Sequence, residues 1–363
     1  MAQKPIAVLG GGNGAHMMAV DLTYRGYDVH LYEHPQFEDR FRTTLTRGAI
    51  EAVGTGPCGI FPIHLVTMDM GTAIREVEWI NVVIPATGHD LFFQELAPYL
   101  HEGHKVVIWA GDFGSLRLRK IMRDVGGDKD VVIFEASTLP YGARLDAPGK
   151  INLLCVAPHV RVATLPAARL GDLFGELQSL FPCVTEEKHV LAVAFNNPNP
   201  IVHPPGALLN TGRIQYSEGD FYMYREGITE AVARVIRQVY DESASVATSL
   251  GFEMAQYRDV DFRTTASIMG VEFVAPFDTQ GVIASILGPT SLKDRYLTED
   301  LPMGLVPRSE LGRLAAVPTP VIDGIVSIGS VVCQEDYWST GRTLTSLGLA
   351  GMGPDQIIDA VQG

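Results

Sequence analysis

The 363-residue chain has few cationic side chains and few cysteines. It carries 28 lysines and arginines against 42 aspartates and glutamates, which gives a net charge of -14. A phosphate backbone is bound through clustered Lys and Arg, so this charge balance argues against a nucleic-acid partner. Cys58, Cys155, Cys183 and Cys333 lack metal-ligand or redox spacing, and they predict reduced thiols and no metal site. Small molecules are the expected partners.

Long apolar runs are also missing. The sequence has no stretch of about eighteen uncharged apolar residues of the kind that spans a bilayer. Its first residues, MAQKPIAVLG, run directly into a short apolar strand without the apolar region and cleavage site of a signal peptide. We therefore expect a cytoplasmic protein with no membrane partner. The length exceeds what one hydrophobic core usually supports, so two domains are expected.

Strand-like and helix-like segments alternate in the first half of the chain. The strand-like segments are PIAVLG, DVHLYEH, WINVVIP, HKVVIWAG and DVVIFEA. Segments with helical periodicity, such as HMMAVDLTYRG, lie between them. This alternation predicts an α/β domain of Rossmann type, with a doubly wound parallel sheet covered by helices on both faces. Residues 151–166 add one or two further strands, and the predicted domain covers residues 1–185.

A glycine-rich loop, GGGNGA, follows the first predicted strand and fits the dinucleotide-binding pattern G-x-G-x-x-A. The first glycine turns the chain, the second lets the backbone approach a pyrophosphate, and the small third residue lets the helix pack on the strand. The loop lies between an apolar strand and an amphipathic helix, which is the context that this motif requires. The candidate cofactor-binding residues of the loop are Gly10, Gly11, Gly12, Asn13, Gly14 and Ala15.

Glu33 stands at the end of the second predicted strand, at the distance expected for a ribose-binding carboxylate. Such a carboxylate accepts hydrogen bonds from the ribose hydroxyls of NAD and repels the 2′-phosphate of NADP, so NAD is the predicted cofactor. Pro85 and Ala86 follow another predicted strand. Ligands of open α/β sheets gather where strands end, so these two residues are expected to pass near the nicotinamide ribose.

The second half of the chain loses the alternation and predicts an all-α domain, residues 186–363. Residues 226–251 carry apolar side chains at helical spacing. A Rossmann domain followed by a helical domain predicts an active site between the two. From residue 186 onward the chain has two lysines, Lys188 and Lys293, and two histidines. His189 precedes an apolar run and is interpreted as a packed strand residue, which leaves His203 as the leading proton donor.

His203 lies in an unusual segment, NNPNPIVHPPG, at residues 196–206. Proline fixes φ and disfavours the helical conformation of the residue before it. The segment therefore predicts an extended, non-helical chain that holds His203 rigidly between two larger bodies.

A second polar segment, DRYLTEDLPMG, contains Arg295 and Asp300. Two interpretations are open. In the first, the two residues form an exposed ion pair, which contributes little to stability in water. In the second, each residue has a role in substrate binding or catalysis. An arginine fork can grip a substrate carboxylate, and an aspartate can orient and charge a histidine.

Taken in order, these motifs resemble the opine dehydrogenase family, the octopine and nopaline dehydrogenase group, and most closely its bacterial N-(1-carboxyethyl)-norvaline type. The resemblance spans nearly the whole chain. It is carried by VLGGGNGAH, by N-x-N-x-x-x-H-P at 197–204, by YREGIT at 224–229, by RYLTEDLPMGLVPRSELG at 295–312, and by VPTPVID and GRTLTSLGL.

The resemblance implies an NADH-dependent condensation. A 2-oxo acid, usually pyruvate, and the amino group of an amino acid form an imine, which is reduced to a secondary amine dicarboxylate. It assigns proton handling to His203 with Asp300, and the carboxylate of the oxo acid to Arg295. Two alternatives stay open, a 2-hydroxyacid or ketopantoate-type dehydrogenase of the same architecture and a non-catalytic NAD-binding sensor. The amino acid and the oligomeric state, a homodimer included, are also open.

Overall fold

The computed structural model describes residues 4–126, 129–262, 268–269 and 287–363. The chain divides into two compact units, Met1–Glu186 and Glu187–Gly363. No helix within the described ranges combines the length and the apolar character needed to cross a membrane.

The described part of the first unit contains the strands and six α-helices. The strands are β1 (Ile6–Leu9), β2 (Val29–Tyr32), β3 (Ala49–Gly54), β4 (Gly59–Pro62), β5 (Leu65–Thr67), β6 (Trp79–Val82), β7 (Lys105–Trp109), β8 (Val132–Ala136), β9 (Tyr141–Ala147), β10 (Lys150–Val156), β11 (Val160–Leu165) and β12 (Val184–Glu186). The helices are α1 (Asn13–Tyr24), α2 (Glu38–Arg47), α3 (Met70–Ala73), α4 (His89–Leu96), α5 (Gly114–Asp124) and α6 (Leu173–Leu180). Short 3-10 helices lie at Pro35–Phe37, Ala86–Gly88, Ala97–Tyr99 and Ala167–Arg169.

Eight strands form the main sheet, in the order β12-β11-β8-β7-β6-β1-β2-β5. The five strands predicted from the sequence, β1, β2, β6, β7 and β8, lie side by side and pair in parallel. The chain leaves β1 toward β2 and returns to its other side with β6, so the strand order reverses between β1 and β6. This reversal defines a doubly wound sheet and confirms the predicted fold class. One strand differs from the prediction, because β11 runs antiparallel to β8.

A second sheet, in the order β4-β3-β10-β9, was not predicted. Its strands β3 and β4 are antiparallel, β3 and β10 are parallel, and β10 and β9 are antiparallel. Burial alternates along β3 and β10, and β4 is largely exposed. Pairing between residues about 100 positions apart, such as Glu51 with Lys150, depends on long-range contacts that a local pattern does not encode.

The core of the first unit lies between the parallel strands and their helices. Buried apolar side chains of β1, β6, β7 and β8 pack with those of α4 and α5, including Leu9, Val82, Ile108, Ile133, Phe92, Phe93, Leu96, Leu118 and Ile121. A strand buried on both faces is continuously apolar, and this is why these segments were recognisable in the sequence.

The described part of the second unit is helical and contains no strand. Its α-helices are α7 (Val190–Phe195), α8 (Asn199–Leu208), α9 (Thr211–Ser217), α10 (Glu230–Ser249), α11 (Arg295–Thr298), α12 (Val306–Leu314), α13 (Pro320–Cys333), α14 (Tyr337–Thr340) and α15 (Pro354–Gln362). A 3-10 helix lies at Asp259–Phe262, and single π-helical turns lie at Met223–Gly227 and Asp300–Leu305.

The proline-rich segment at 196–206 is not extended, and this prediction was wrong. His203 lies in the middle of α8, with Pro204 and Pro205 inside the helix. Proline normally breaks a helix because it lacks an N–H donor and crowds the preceding turn. Here all ten residues of α8 are buried. Packing on every side of the helix therefore outweighs the local preference of its prolines.

His189 was also placed in the wrong element. It is the N-cap residue of α7 rather than a strand residue, and its Nδ1 accepts a hydrogen bond from the backbone N–H of Ala192 at 3.2 Å. The role predicted for it, a buried structural side chain, agrees with its complete burial.

Candidate active site

The glycine loop of the first unit lies where the strand order of the main sheet reverses. Gly10 directly follows β1 and has φ +126°, a conformation that side chains rarely adopt. A Cβ at this position would lie 2.4 Å from the carbonyl oxygen of Val83, which directly follows β6. The turn after β1 therefore rests on the end of β6 because residue 10 lacks a side chain. Ligands of open α/β sheets bind at such a reversal point.

The N-terminus of α1 is built to receive an anion. Gly12 precedes the helix in an extended conformation and offers no capping side chain, and the first turn has no acidic residue. A Cβ on Gly12 would meet no atom within 4 Å, so open space lies beside the loop. The uncapped N–H groups and this space suit the pyrophosphate of a dinucleotide. Ala15 is fully buried, which lets the helix pack closely on the sheet.

Two other loop residues pack against the protein. The side-chain oxygen of Asn13 accepts a hydrogen bond from the backbone N–H of Leu145 in β9 at 2.9 Å. A Cβ on Gly14 would lie 2.8 Å from Leu139, which follows β8. Asn13 therefore ties the loop to the second sheet, and Gly14 allows the close approach of the segment after β8.

Glu33 stands one residue beyond β2 and is buried, with its carboxylate above the glycine loop. A Cβ on Gly11 would lie 2.5 Å from one carboxylate oxygen, and the other oxygen accepts a hydrogen bond from the backbone N–H of His34 at 2.8 Å. Burial raises the pKa of Glu33 to about 7, although hydrogen bonds from His34 and Gly11 lower it. The carboxylate is in the place that a ribose-binding acid requires.

Pro85 and Ala86 lie at the same edge of the sheet, three and four residues after β6. Ala86 is buried and begins the short 3-10 helix that leads into α4. The loops after β1, β2 and β6 thus converge at one edge. The residues present there fit a nicotinamide dinucleotide.

In the second unit, His203 is held on three sides. Its Nδ1 lies 2.8 Å from a carboxylate oxygen of Asp300, and its Nε2 lies 2.9 Å from the hydroxyl of Tyr224. The ring of Tyr296 stacks on the imidazole with a centroid distance of 3.8 Å and an interplanar angle of 7°. All four side chains are buried. The imidazole is therefore fixed in position and in orientation.

Both hydrogen-bonding partners of His203 lie on π-helical turns that pack against α8. Tyr224 belongs to Met223–Gly227, and Asp300 is the first residue of Asp300–Leu305. Single π-helical turns are often found at functional sites because they redirect side chains. Helix α8 and the two π-helical turns together form the framework of the site.

Two glycines permit the close packing of these turns on α8. A Cβ on Gly304 would lie 2.3 Å from the ring of Pro200, which is in the first turn of α8. A Cβ on Gly206, within α8, would lie 2.8 Å from the sulfur of Met223. Each glycine thus brings one partner of His203 within hydrogen-bonding distance.

Asp300 has a strongly perturbed acidity. Burial raises its pKa well above the ordinary value and the nearby carboxylate of Glu299 raises it further, whereas Arg295 and Arg308 lower it. A buried carboxylate is stabilised in its charged form by an adjacent positive charge. Because burial disfavours the charged carboxylate, Asp300 and Nδ1 of His203 share one proton in their hydrogen bond.

Arg295 is the first residue of α11 and is about half exposed, at 49% of its side-chain surface. Its guanidinium lies 3.6 Å from the carboxylate of Glu299 and 6.0 Å from the ring centre of Tyr296. It is thus accessible to a ligand carboxylate and close to the aromatic ring that covers His203. The sequence left open an exposed ion pair of Arg295 with Asp300. In the structure Arg295 instead lies next to Glu299, and Asp300 is buried against His203.

Three other basic residues of this unit, His189, Lys188 and Lys293, do not provide an alternative proton donor. His189 has a pKa lowered to about 4, mainly by burial, so it is neutral at pH 7. Nζ of Lys188 donates to the carbonyl oxygen of Gly251 at 2.8 Å. Lys293 is exposed.

Comparison with known proteins identifies the family. Residues 186–333 match the family described as NAD/NADP octopine/nopaline dehydrogenase, alpha-helical domain. The chain is 33% identical to the opine dehydrogenase of Arthrobacter sp. (strain 1C) over 99% of each protein. It belongs to the opine dehydrogenase family.

Solved structures of octopine dehydrogenase have the same fold. The complex with NADH and L-arginine matches with a TM-score of 0.72 and 21% identity, and the complex with NADH and pyruvate with a TM-score of 0.71 and 22% identity. Each comparison covers 98% of both chains. As a member of the opine dehydrogenase family, the protein is an NAD-dependent oxidoreductase that acts on CH–NH groups of small molecules.

Three residues of this candidate site were not singled out from the sequence. Tyr224 and Tyr296 lie inside the motifs YREGIT and RYLTED, but nothing local shows that both contact His203. Arg308 is fully buried, and it donates hydrogen bonds to the carbonyl oxygens of Ala194, Phe195 and Asn197. It therefore secures the chain between α7 and α8. Arg308 could have been found from the sequence because it is a charged residue among apolar positions of a helix.

Proposed function

We propose that the protein condenses a short 2-oxo acid of the pyruvate class with the amino group of an amino acid and reduces the resulting imine. The observation that carries this proposal is the buried pair of His203 and Asp300, at 2.8 Å, next to an accessible arginine. Octopine dehydrogenase, which has the same fold, has been solved with pyruvate and with L-arginine. The names of these complexes support the choice of an oxo acid and an amino acid here.

His203 is the proposed proton donor. Reducing an imine adds a hydride to carbon and a proton to nitrogen, and a bound NADH supplies the hydride. Histidine suits this work because its charge changes near neutral pH. Asp300 holds the imidazole through Nδ1 and shares a proton with it there. The pair thereby stores the proton in a site from which bulk water is excluded.

Arg295 is the proposed clamp for the carboxylate of the oxo acid. Its guanidinium is half exposed, and a planar guanidinium can bind a carboxylate through two parallel hydrogen bonds. Glu299, at 3.6 Å, keeps the guanidinium in place without the short contacts of a bidentate pair. A substrate carboxylate can therefore bind while Arg295 keeps its acidic neighbour.

In the first unit, Gly10, Gly11, Gly12, Asn13, Gly14, Ala15, Glu33, Pro85 and Ala86 form the proposed cofactor site. The main-chain groups of Gly12 and of the first turn of α1 hold the pyrophosphate, and Glu33 receives the adenosine ribose. A ribose with free hydroxyl groups is favoured at Glu33, which supports NADH as the preferred cofactor. The cytoplasmic location and a homodimeric assembly stay predictions.

The test is a matrix of 2-oxo acids and amino acids, each pair incubated with NADH and followed by NADH absorbance. We expect NADH consumption only when both an oxo acid and an amino acid are present, and a secondary amine dicarboxylate as the product by mass spectrometry. Consumption with an oxo acid alone, giving a 2-hydroxy acid, would contradict the proposal. Binding of NADH without consumption in any pair would point to a sensor.

A further inference from the structure

Both ring nitrogens of His203 are engaged by protein atoms. Nδ1 is bonded to Asp300 and Nε2 to the hydroxyl of Tyr224. An imidazole has no third nitrogen, so a proton that leaves it toward a substrate first meets one of these two oxygens. The proton on Nδ1 stays in the hydrogen bond between the ring and Asp300. The hydroxyl of Tyr224 is thus the remaining exit.

Tyr224 is suited to pass a proton on. Its side chain is buried, and burial raises the pKa of its phenol well above the ordinary value. The phenol therefore stays protonated and acts both as donor and as acceptor. It is also hydrogen-bonded to the side chain of Tyr296. The ring of Tyr296 stacks on His203, so the two phenols and the imidazole form one cluster.

The position of Arg295 indicates on which side of the cluster a substrate carboxylate binds. Arg295 adjoins Tyr296 in α11, its guanidinium lies 6.0 Å from the ring centre of Tyr296, and its charge acts on the phenol of Tyr224. Arg295 also acts on Asp300, but the carboxylate of Asp300 repels a second carboxylate, so we expect a carboxylate held by Arg295 to lie beside the phenols. The reacting carbon and nitrogen then lie next to a hydroxyl group.

We propose that Tyr224 is a catalytic residue, and that its hydroxyl carries the proton from His203 to the imine nitrogen. This inference rests on the proposed function. When the imine carbon accepts the hydride, the π electrons of the C=N bond move to nitrogen, which takes the proton of the Tyr224 hydroxyl. The phenol oxygen takes the proton of Nε2 as its own O–H bond breaks. His203 is left neutral, and its Nε2, which donated to Tyr224 before the transfer, now accepts a hydrogen bond from the Tyr224 hydroxyl.

The test compares Tyr224→Phe with Tyr240→Phe. The control removes another buried hydroxyl of the same unit, which donates to the carbonyl oxygen of Ala255 at 2.8 Å. We expect Tyr224→Phe to lower kcat about 100-fold or more, in the range of one lost acid–base group. KM for the oxo acid, the Kd of NADH by fluorescence, and Tm should stay close to the values of Tyr240→Phe. A kcat for Tyr224→Phe equal to that of the control overturns the relay.

His203→Ala separates this inference from the proposed function. If His203→Ala loses most of its rate and Tyr224→Phe keeps its own, the relay is wrong and the proposed function stands. If both variants keep their rates, the role of His203 as proton donor is wrong as well, whereas the matrix of oxo acids and amino acids tests the reaction itself. A loss confined to KM for the oxo acid would make Tyr224 a binding residue and also overturn the relay.

Site-specific replacement of Tyr224 by 3,5-difluorotyrosine covers the case in which Tyr224→Phe does not fold. Fluorine makes the phenol more acidic while the ring keeps almost the same size. We expect the high-pH limb of kcat to move to lower pH, because an ionised phenolate has no proton to pass on. An unchanged limb and rate overturn the proposal.

Discussion

Nδ1 of His203 lies 2.8 Å from a carboxylate oxygen of Asp300, although 97 positions separate the two residues in the chain. Each is at least 98% buried. A contact of this kind is made by tertiary packing and shielded from water, so it is stronger than the same pair on a surface. The two residues should behave as one unit in catalysis.

A double-mutant cycle tests that unit. We expect His203→Ala to lower kcat about 10²- to 10⁴-fold, the size of one general acid and base, and Asp300→Asn to lower it less. The double variant should be little slower than His203→Ala, because the effects of residues that act together are not additive. The coupling between the two residues is calculated from rates of hydride transfer measured in single turnovers. Multiplicative losses would show that the two residues act independently.

Arg295→Lys tests the carboxylate clamp. Lysine keeps the charge but cannot reproduce the fork of a guanidinium, so KM for the oxo acid should rise about 10- to 100-fold, in line with about 1.5 to 3 kcal/mol for a charge-assisted pair. The Kd of NADH should not change. Arg313→Lys is a matched control, since Arg313 is 52% exposed and lies 3.5 Å from a carboxylate oxygen of Asp323. An equal weakening of NADH binding by Arg295→Lys would indicate a structural role instead.

Gly12→Ala separates cofactor binding from folding. A Cβ at Gly12 meets no protein atom within 4 Å, and the residue has φ -86°, which alanine adopts readily. Tm should therefore change little. The methyl group would occupy the space next to the N-terminus of α1, so the Kd of NADH should rise about tenfold or more through lost phosphate contacts.

Gly175→Ala is the control for this substitution, because Gly175 lies in α6 with no atom within 4 Å of an added Cβ. It should leave NADH binding unchanged. If Gly12→Ala binds NADH as tightly as Gly175→Ala, the proposed pyrophosphate site is wrong.

Cofactor preference should depend on pH through Glu33. The carboxyl has a pKa raised to about 7, so it is mostly neutral at pH 6 and charged at pH 8. Only the charged form repels the 2′-phosphate of NADPH, and the ratio of the NADPH and NADH dissociation constants should rise about tenfold between these pH values. Fluorescence titrations at each pH measure both constants.

Glu33→Gln is the control for this pH dependence. The 2′-phosphate itself loses a proton at about pH 6. In the glutamine variant, the pH dependence of cofactor preference comes from the phosphate alone. We expect a smaller slope for Glu33→Gln than for the unmodified protein. Identical slopes would mean that Glu33 does not face the phosphate.

Gly304 and Gly206 both allow a π-helical turn to pack on α8, but alanine at the two positions should have different effects. In Gly304→Ala the new methyl group meets the rigid ring of Pro200, so the turn that carries Asp300 must move away. In Gly206→Ala the new methyl group meets the flexible end of the Met223 side chain, which can adopt another rotamer. We expect about 1 to 3 kcal/mol of destabilisation and a clear loss of kcat for Gly304→Ala, and smaller effects for Gly206→Ala. The reverse order, in urea unfolding and in kcat, would refute this assignment.

Local patterns predicted the glycine loop and the central strands of the first unit. The glycine loop, the five central strands and Glu33 follow one another at short spacing, and a strand buried in a parallel sheet is apolar throughout. Five strands, β3, β4, β5, β9 and β12, escaped the sequence because their evidence is not local. The second sheet in particular depends on pairing between distant segments.

The sequence by itself determined the residue types of the catalytic half, a histidine among prolines and a motif with an arginine and an aspartate. Only the tertiary structure decided what surrounds them. Prolines around His203 favour an extended chain by their own preferences, yet α8 forms because its whole surface is buried. Tyr224 reaches His203 from 21 positions along the chain and Asp300 from 97 positions. The energy that fixes these partners comes from long-range packing, which no single segment contains.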